Sequence, residues 1–270
     1  MKIKTYTVAA FTNESFKGNT AGVCLLEAAV EETLMQSIAA ELNVSETAFL
    51  TNIAANSNRF NIRYYSPMVE VPFCGHASVA SAYLLMNKMG LDDVELTTYH
   101  GLKLDAKRSG DKVEIRFPLF SLVPFSIKEK LIEAMGLIEY ASVGFSRDLH
   151  MLLVEVKDKE TLLSLHPDFT AMVRADNEIK EVVVTCKSAD NQYDFYSRCF
   201  CPWVGIDEDP VTGAAHSVLA AYWSPKLGRK QMKAYQCSKR GGELELELLS
   251  NTVLKVTASA RIMIEGTLNV

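Results

Sequence analysis

Two short stretches carry residue types that could do chemistry. In Glu208-Asp209-Pro210-Val211-Thr212-Gly213-Ala214-Ala215-His216, two carboxylates precede a proline, and small residues then open an apolar run to Trp223. Proline fixes φ and lacks an N–H, so Pro210 suits the first turn of a helix, with Asp209 at or near the N-cap. The small side chains leave the first-turn amides open to a ligand, which makes Thr212, Gly213 and Ala214 candidate anion binders. The second stretch is Cys74-Gly75-His76-Ala77-Ser78, which opens an apolar run to Leu85. His76 falls in the first turn, where the helix dipole disfavours imidazolium and leaves a neutral ring able to donate or accept one hydrogen bond. Amides near Gly75 and His76, and near Gly213 and Ala214, would receive a carboxylate or an enolate oxygen.

The two stretches share a frame. Arg63-Tyr64-Tyr65-Ser66-Pro67 precedes the first, and Arg198-Cys199-Phe200-Cys201-Pro202 precedes the second. Each reads Arg, three residues, Pro, a loop, Gly and then small residues, with an insertion differing by three residues between Pro and Gly. The whole ordered series recurs about 135 residues apart, which reads as an internal duplication. Two helix N-termini facing one another across a cleft is the arrangement this implies.

The elements that must position these stretches follow from periodicity. Strands are predicted at 2–11, 21–26, 48–50, 59–65, 94–98, 101–107 and 112–117, then at 150–156, 181–186, 193–200, 231–236, 243–248, 253–258 and 262–267. Helices are predicted at 31–42, 77–88, 127–135 and 211–223, with a helical turn at 159–165. Residues 118–124 read as a linker. The runs Ala77–Leu85 and Ala215–Trp223 are apolar almost all round, so each helix is buried on every side. A sheet wrapped around a central helix, twice, fits better than a parallel βαβ repeat. The halves are residues 1–117, to which a last strand at about 261–270 can return, and 118–260.

Length and composition narrow the function classes. The 270 residues are 48% hydrophobic and 23% charged, ordinary for a soluble globular protein. A net charge of −5 supplies no basic patch and argues against nucleic acid as partner. No apolar run reaches the roughly 18 residues that span a membrane, and Met1 to Thr5 lacks a signal-peptide core, so a cytoplasmic location is expected. The cysteines at 24, 74, 186, 199, 201 and 237 contain no Cys-x-x-Cys pair and read as reduced, buried thiols, with no metal site suggested by spacing.

Four segments in order make the chain similar to a known family: Phe16-Lys17-Gly18-Asn19-Thr20-Ala21, Asn43-Val44-Ser45-Glu46-Thr47-Ala48-Phe49, Pro72-Phe73-Cys74-Gly75-His76-Ala77 and Glu208-Asp209-Pro210-Val211-Thr212-Gly213-Ala214-Ala215. With His166-Pro167-Asp168 and Arg240-Gly241-Gly242, they resemble the PhzF-like (phenazine biosynthesis) family over almost the whole chain. The resemblance implies an α+β, diaminopimelate-epimerase-like fold: two pseudo-symmetric halves, each a curved, mostly antiparallel sheet around a central apolar helix, with the active site between them. It implies an isomerase working without metal or cofactor on a small carboxylate-bearing substrate, and a homodimer. Glu46 matches the acid/base residue that takes a proton from carbon and returns it elsewhere. His76 and Asp209 match the other polar catalytic positions, and Gly18, Asn19, Ser45 and Gly75 line the substrate site with Thr212, Gly213 and Ala214. The family often has Ser where this chain has Ala214.

Each assignment has a plain alternative. Ser45-Glu46-Thr47 could be only a polar turn; as a base, Glu46 needs its pKa raised by apolar neighbours such as Val44 and Phe49. Asp209 could be only a cap, Gly18 only a turn, Glu208 a solvated neighbour and His216 a satisfied core histidine. Amino-acid epimerases of this fold use two cysteines, and only Cys74 has a counterpart here. The competing functions are therefore a one-thiol epimerase, with Cys74 and Glu46 on opposite faces of the substrate, and a small-acid binding protein without turnover.

Overall fold

The structure is a computed structural model that describes residues 1–55 and 57–270. The chain divides into two compact units, residues 1–117 with 255–270 and residues 118–254. Among the described residues no helix is long and apolar enough to cross a membrane.

In the first unit, strand Asn19–Leu26 runs antiparallel to Lys2–Ala10 and parallel to Glu46–Asn52. Arg59–Tyr65 pairs antiparallel with Glu46–Asn52 and with the short Glu70–Val71, and parallel with Asp93–Thr98. Lys103–Ser109 and Lys112–Pro118 extend the sheet antiparallel, and Ala260–Asn269 returns to pair with Lys2–Ala10. The sheet packs around helix Gly75–Met89, whose residues from Gly75 to Ala82 are all buried. A helix apolar on every side has no solvent face to offer, so it sits inside the sheet. The opposite sheet face carries Cys24, Phe49 and Tyr65 against Met35, Ile38 and Ala39 of helix Glu32–Leu42.

The second unit repeats this order. Met151–Glu155 runs antiparallel to Ser142–Ser146 and parallel to Glu181–Lys187. Phe195–Cys201 pairs antiparallel with Glu181–Lys187 and Ile206–Asp209, and parallel with Gln231–Gln236. Gly242–Leu248 then pairs antiparallel with Gln231–Gln236. Helix Gly213–Leu227 is the central one, and like Gly75–Met89 it has 15 residues and ends on a left-handed glycine. The outer sheet face carries Val182, Val184 and Cys186 against Leu131, Met135, Leu162 and Met172, which come from three short helices.

The structure corrects several expectations. Asp209 is the last residue of strand Ile206–Asp209, not a helix cap; the helix starts at Gly213 with Thr212 as N-cap. A fixed φ without an N–H suits the exit from a strand as well as the first turn of a helix, so Pro210 could not decide. The helix also runs past Trp223 to Leu227, with Pro225 inside it. Strand Ser142–Ser146 and helix Phe169–Ala175 were not predicted. Asp168 caps that helix, its Oδ1 accepting from the Ala171 N–H at 2.9 Å. Val123–Pro124, within the expected linker, pairs with Gly144–Phe145.

Candidate active site

Strand alternation decides where Glu46 points. Glu46 opens its strand in phase with Ala48 and Leu50, so it faces the central helix, whereas Phe49 lies on the other face under helix Glu32–Leu42. The expectation that Phe49 would line the Glu46 carboxyl is therefore overturned by the pleat. Polar groups stand beside Glu46. Its Oε2 lies 3.3 Å from His76 Nε2 and 3.8 Å from Cys74 Sγ. Cys74 is the N-cap of the central helix in extended conformation, and its side chain does not cap the first turn. Its Sγ lies 3.4 Å from His76 Nδ1, and Asn19 Nδ2 lies 3.3 Å from the same nitrogen.

Burial pushes His76 down to about 3, so its ring is neutral near pH 7. The contact with Glu46 is then a hydrogen bond from Nε2–H, not an ion pair. Nδ1 is left as the acceptor facing the Asn19 amide, which fixes the tautomer. The neutral His76 expected from its place at the helix start is thus found, with burial as the cause.

Backbone geometry supports this cluster. Gly18 has φ +67°, and a Cβ there would lie 2.2 Å from Ala10 O and 2.6 Å from Thr12 Cγ2, so only glycine leads the chain into Asn19. Gly18 is therefore required by the turn that delivers Asn19 to His76. Ser45 is half-buried in the bend just before Glu46. The Tyr64 hydroxyl lies 2.6 Å from Ser78 Oγ, which donates to Cys74 O at 2.7 Å and holds the helix start against its strand.

The second unit gathers Asp209, Thr212, Glu181, Cys199 and Gln236. Thr212 Oγ1 donates to Asp209 Oδ2 at 2.5 Å, so the Thr212 hydroxyl is spent on Asp209 and does not cap Gly213–Leu227. Gln236 ties the loop together: its Oε1 accepts from the Thr212 N–H at 2.9 Å, and its Nε2 donates to Asp209 O at 2.7 Å. Gly213 is buried and Ala214 half-buried at the helix start. His216 is fully buried; its Nδ1 donates to Thr212 O at 2.8 Å, and burial pushes it down to about 4. Among the described residues its Nε2 has no partner, so this core histidine is half satisfied. Glu208 is not a solvated neighbour: Arg198 holds it with Nε to Oε1 at 2.8 Å and Nη2 to Oε2 at 3.0 Å.

Sequence reasoning missed Glu181 and Gln236. Glu181 opens its strand as Glu46 does, in phase with Val183 and Thr185, whose Oγ1 accepts from Trp223 of the central helix. Burial, and then Asp209, push the Glu181 carboxyl up to about 7. Burial holds the Cys199 thiol well above its ordinary range, so it donates to Glu181 Oε2, 3.9 Å away. The signal was available: Glu181 follows Glu46 by the same 135 residues that separate Arg63 from Arg198. Gln236, a fully buried residue at a strand end, carried no comparable signal.

Glu46 Oε2 and Cys74 Sγ lie 3.8 Å apart, whereas a one-thiol epimerase would hold them on opposite faces of a substrate carbon. A separate cavity of about 320 Å³ lies on the outer sheet face, lined by Met35, Phe49, Arg63 and Tyr99 among others. It contains none of the groups considered above as acid or base.

The family profile described as phenazine biosynthesis-like protein, PhzC-PhzF, matches residues 8–268. A phenazine biosynthesis-like domain-containing protein of Mus musculus is 40% identical over 287 residues, covering 99% of each chain. An uncharacterized isomerase of Halalkalibacterium halodurans is 36% identical over 266 residues, covering 97% of each. The crystal structure of a PhzF-family phenazine biosynthesis protein of Enterococcus faecalis superposes with a TM-score of 0.90 at 32% identity, covering 100% of both chains. A probable proline racemase of Agrobacterium radiobacter, 13% identical with a TM-score of 0.61, covers 99% of this chain and shares its epimerase-like fold. With a family match across nearly its whole length and a related crystal structure of the same fold, the chain belongs to the PhzC-PhzF family of phenazine biosynthesis-like proteins.

Proposed function

We propose that this protein is an isomerase that moves a proton between carbon atoms of a small carboxylate-bearing substrate, with Glu46 as the acid/base. The observation that carries the reading is the contact of Glu46 with a neutral, buried His76 at a helix N-terminus. A relative bearing the description isomerase, 36% identical along 97% of this chain, supports the reaction class.

The roles follow from the charges. Glu46 takes a proton from carbon and returns it at another carbon. His76 donates Nε2–H to whichever oxygen is more basic, the Glu46 carboxylate before transfer or an enolate oxygen after it. Asn19 holds the ring in the donating tautomer, and Gly18 holds Asn19. The anion-receiving groups are the first-turn amides at Gly75, with Ser45, in the first unit and those at Gly213 and Ala214, with Thr212, in the second. Asp209, with one oxygen held by Thr212, is the second proton-handling carboxylate. All these groups are side chains and amides of the protein itself, so the reading assigns the chemistry no cofactor. Ala214 leaves one side-chain contact fewer than the family's frequent Ser and bears on which acid is taken.

The experiment is a thermal-shift screen of small carboxylic acids, followed by detection of deuterium uptake into each hit in heavy water by NMR or mass spectrometry. Exchange into at least one ligand, lost in Glu46→Gln, is expected. Ligands that bind without exchange would make this a binding protein, and undiminished exchange in Glu46→Gln would remove Glu46 from the chemistry.

A further inference from the structure

We propose that the cavity of about 320 Å³ on the outer sheet face of the first unit binds a neutral hydroxylated aromatic ring, a phenol, apart from the Glu46 cluster. Strand Glu46–Asn52 divides the two sites: Glu46 faces the central helix, while Phe49 and Thr51 face the cavity. The site therefore stands whether or not Glu46 is the acid/base.

The duplicated frame shows what this place holds. Thr51, Asn61 and Thr97 stand opposite one another on three adjacent strands, and all three line the cavity. In the second unit, Cys186 and Tyr196 stand at the 135-residue offset that relates Glu46 to Glu181, and Tyr235 pairs with Tyr196 as Thr97 pairs with Asn61. There the place is filled by rings. Tyr196 is 2% exposed; its ring centre lies 6.5 Å from that of Tyr235, and Tyr193 lies 5.7 and 5.2 Å from the two. Lys159 Nζ closes over Tyr196, 3.7 Å from the ring centre. Its counterpart is Ala29, which follows Ala21 by as many residues as Lys159 follows Met151. Asn61, Thr97 and Ala29, where the second unit has two tyrosines and a lysine, leave the cavity.

The lining suits a ring in size and in polarity. Small-molecule pockets run upward from roughly 300 Å³, so this one takes a small ligand. Phe49 and Met35, 2% and 3% exposed, form an apolar floor, and a ring edge or face and a thioether both favour an aromatic neighbour. Among the described residues the side chains of Thr51, Asn61 and Thr97 have no hydrogen-bond partner in the protein, so each can meet a ligand hydroxyl. Among the described residues Arg63 is the one charged member of the lining, and its guanidinium is held by Glu70 at 2.7 and 2.6 Å and by Glu32 at 2.8 Å. It supplies no unmatched positive charge for a carboxylate, which sets this ligand apart from the acid proposed for Glu46.

The test titrates p-cresol, the tyrosine side chain as a free molecule, into the full chain carrying carbon-13 methionine methyls, with toluene and p-hydroxybenzoate as controls. A saturable ring-current shift of the Met35 methyl is expected, its resonance identified by its loss in Met35→Leu. Asn61→Tyr, which fills the cavity as the second unit does, should abolish that shift. The double variant Thr51→Val, Thr97→Val keeps the shape and removes two hydroxyls. It should lower the ratio of p-cresol to toluene affinity by roughly two- to tenfold, the net worth of one hydrogen bond. If Asn61→Tyr does not fold, nuclear Overhauser contacts from the p-cresol ring to the Met35 methyl of the unmutated protein decide the matter. A Met35 methyl that does not respond, or a shift that survives Asn61→Tyr, overturns the site. Tighter binding of p-hydroxybenzoate than of p-cresol overturns the neutral class, and an unchanged ratio in the double variant removes the hydroxyl row from recognition. Self-association that Asn61→Tyr abolishes, with no response to p-cresol, overturns the phenol in favour of a second copy of the chain.

Discussion

At Cys74 and at Thr212 the backbone does the same thing. Each residue is extended, each is followed by a glycine, and each opens a 15-residue buried helix that ends on a left-handed glycine. Each carbonyl is held by the side chain four residues on, Ser78 Oγ at 2.7 Å in one unit and His216 Nδ1 at 2.8 Å in the other. Each preceding strand carries an arginine gripping a glutamate through both carboxylate oxygens, Arg63 with Glu70 and Arg198 with Glu208. Each parallel strand pair opens with a glutamate facing the helix, Glu46 and Glu181. The loads differ. Glu46 meets a neutral histidine that can share its proton, while Glu181 meets a thiol and a second acid. A duplicated frame keeps backbone geometry and structural ion pairs, because folding needs them in both copies. The residues on the frame are free to diverge.

The sharpest way to break this comparison is to neutralise both glutamates. Glu46→Gln should lower deuterium exchange by about 10²–10⁴-fold, the usual worth of a positioned acid/base. Glu181→Gln should lower it by less than about tenfold, because Glu181 lies against Cys199 and not against the proposed base. Equal losses in the two variants would mean that Glu181 itself takes part in the proton transfer.

Acid should reveal what the two histidines have in common. Both are depressed from 6.5, His76 to about 3 and His216 to about 4. The unfolded chain therefore takes up protons first, so their contribution is complete above pH 6.5 and is lost as pH falls toward the folded values. Urea unfolding should show stability dropping below pH 6.5, by up to about 1.4 kcal/mol per pH unit for each histidine. His216→Asn, which keeps a donor near Thr212 O, should halve that slope; an unchanged slope would assign acid sensitivity elsewhere.

The arginines sharpen the structural half. Arg198 also donates to Leu162 O at 3.2 Å and Leu165 O at 2.8 Å, while among the described residues Arg63 has carboxylate partners only. Arg198→Ala should cost about 2–3 kcal/mol in denaturant unfolding and Arg63→Ala about 1–2, since the first strands backbone acceptors as well as a carboxylate. The reverse order would show that the tie from Arg63 to Glu32 and its stacking on Tyr99 outweigh those carbonyls.

The last test returns to Glu181. Its folded pKa of about 7 exceeds the ordinary 4.5, so the folded state holds its proton longer, and stability declines as pH rises through that window. Glu181→Gln should therefore raise stability at pH 8, by about 1–3 kcal/mol, and change little below pH 4.5. A loss at pH 8 would show that the carboxylate is needed as an acceptor for Cys199.

Much of the frame was legible because its signals are local. Arg59–Tyr65, Gln231–Gln236 and Val253–Ala258 read as strands from alternation with the bounds they have in the structure. The elements that escaped are short. Helix Phe169–Ala175 has 7 residues, too few for helical periodicity to stand out, and strand Ile206–Asp209 has 4. The site was legible in part. Glu46, His76 and Asn19 do converge, but their order of contact was hidden, and Cys74, read as a buried thiol, is buried with its sulfur against both Glu46 and His76.

By itself the sequence determined the duplication, the two buried helices and the residue types at their N-termini, because period, capping and repeat offset are properties of neighbours along the chain. Only the tertiary structure decided that Asp209 ends a strand, that Glu181 stands beside it, and that Glu46, Cys74 and His76 meet within 4.8 Å. Those are facts of sheet register and pleat. A strand slipped by one residue turns every side chain to the other face, and the register is set by partners far away along the chain, as Lys2 and Asn269 are.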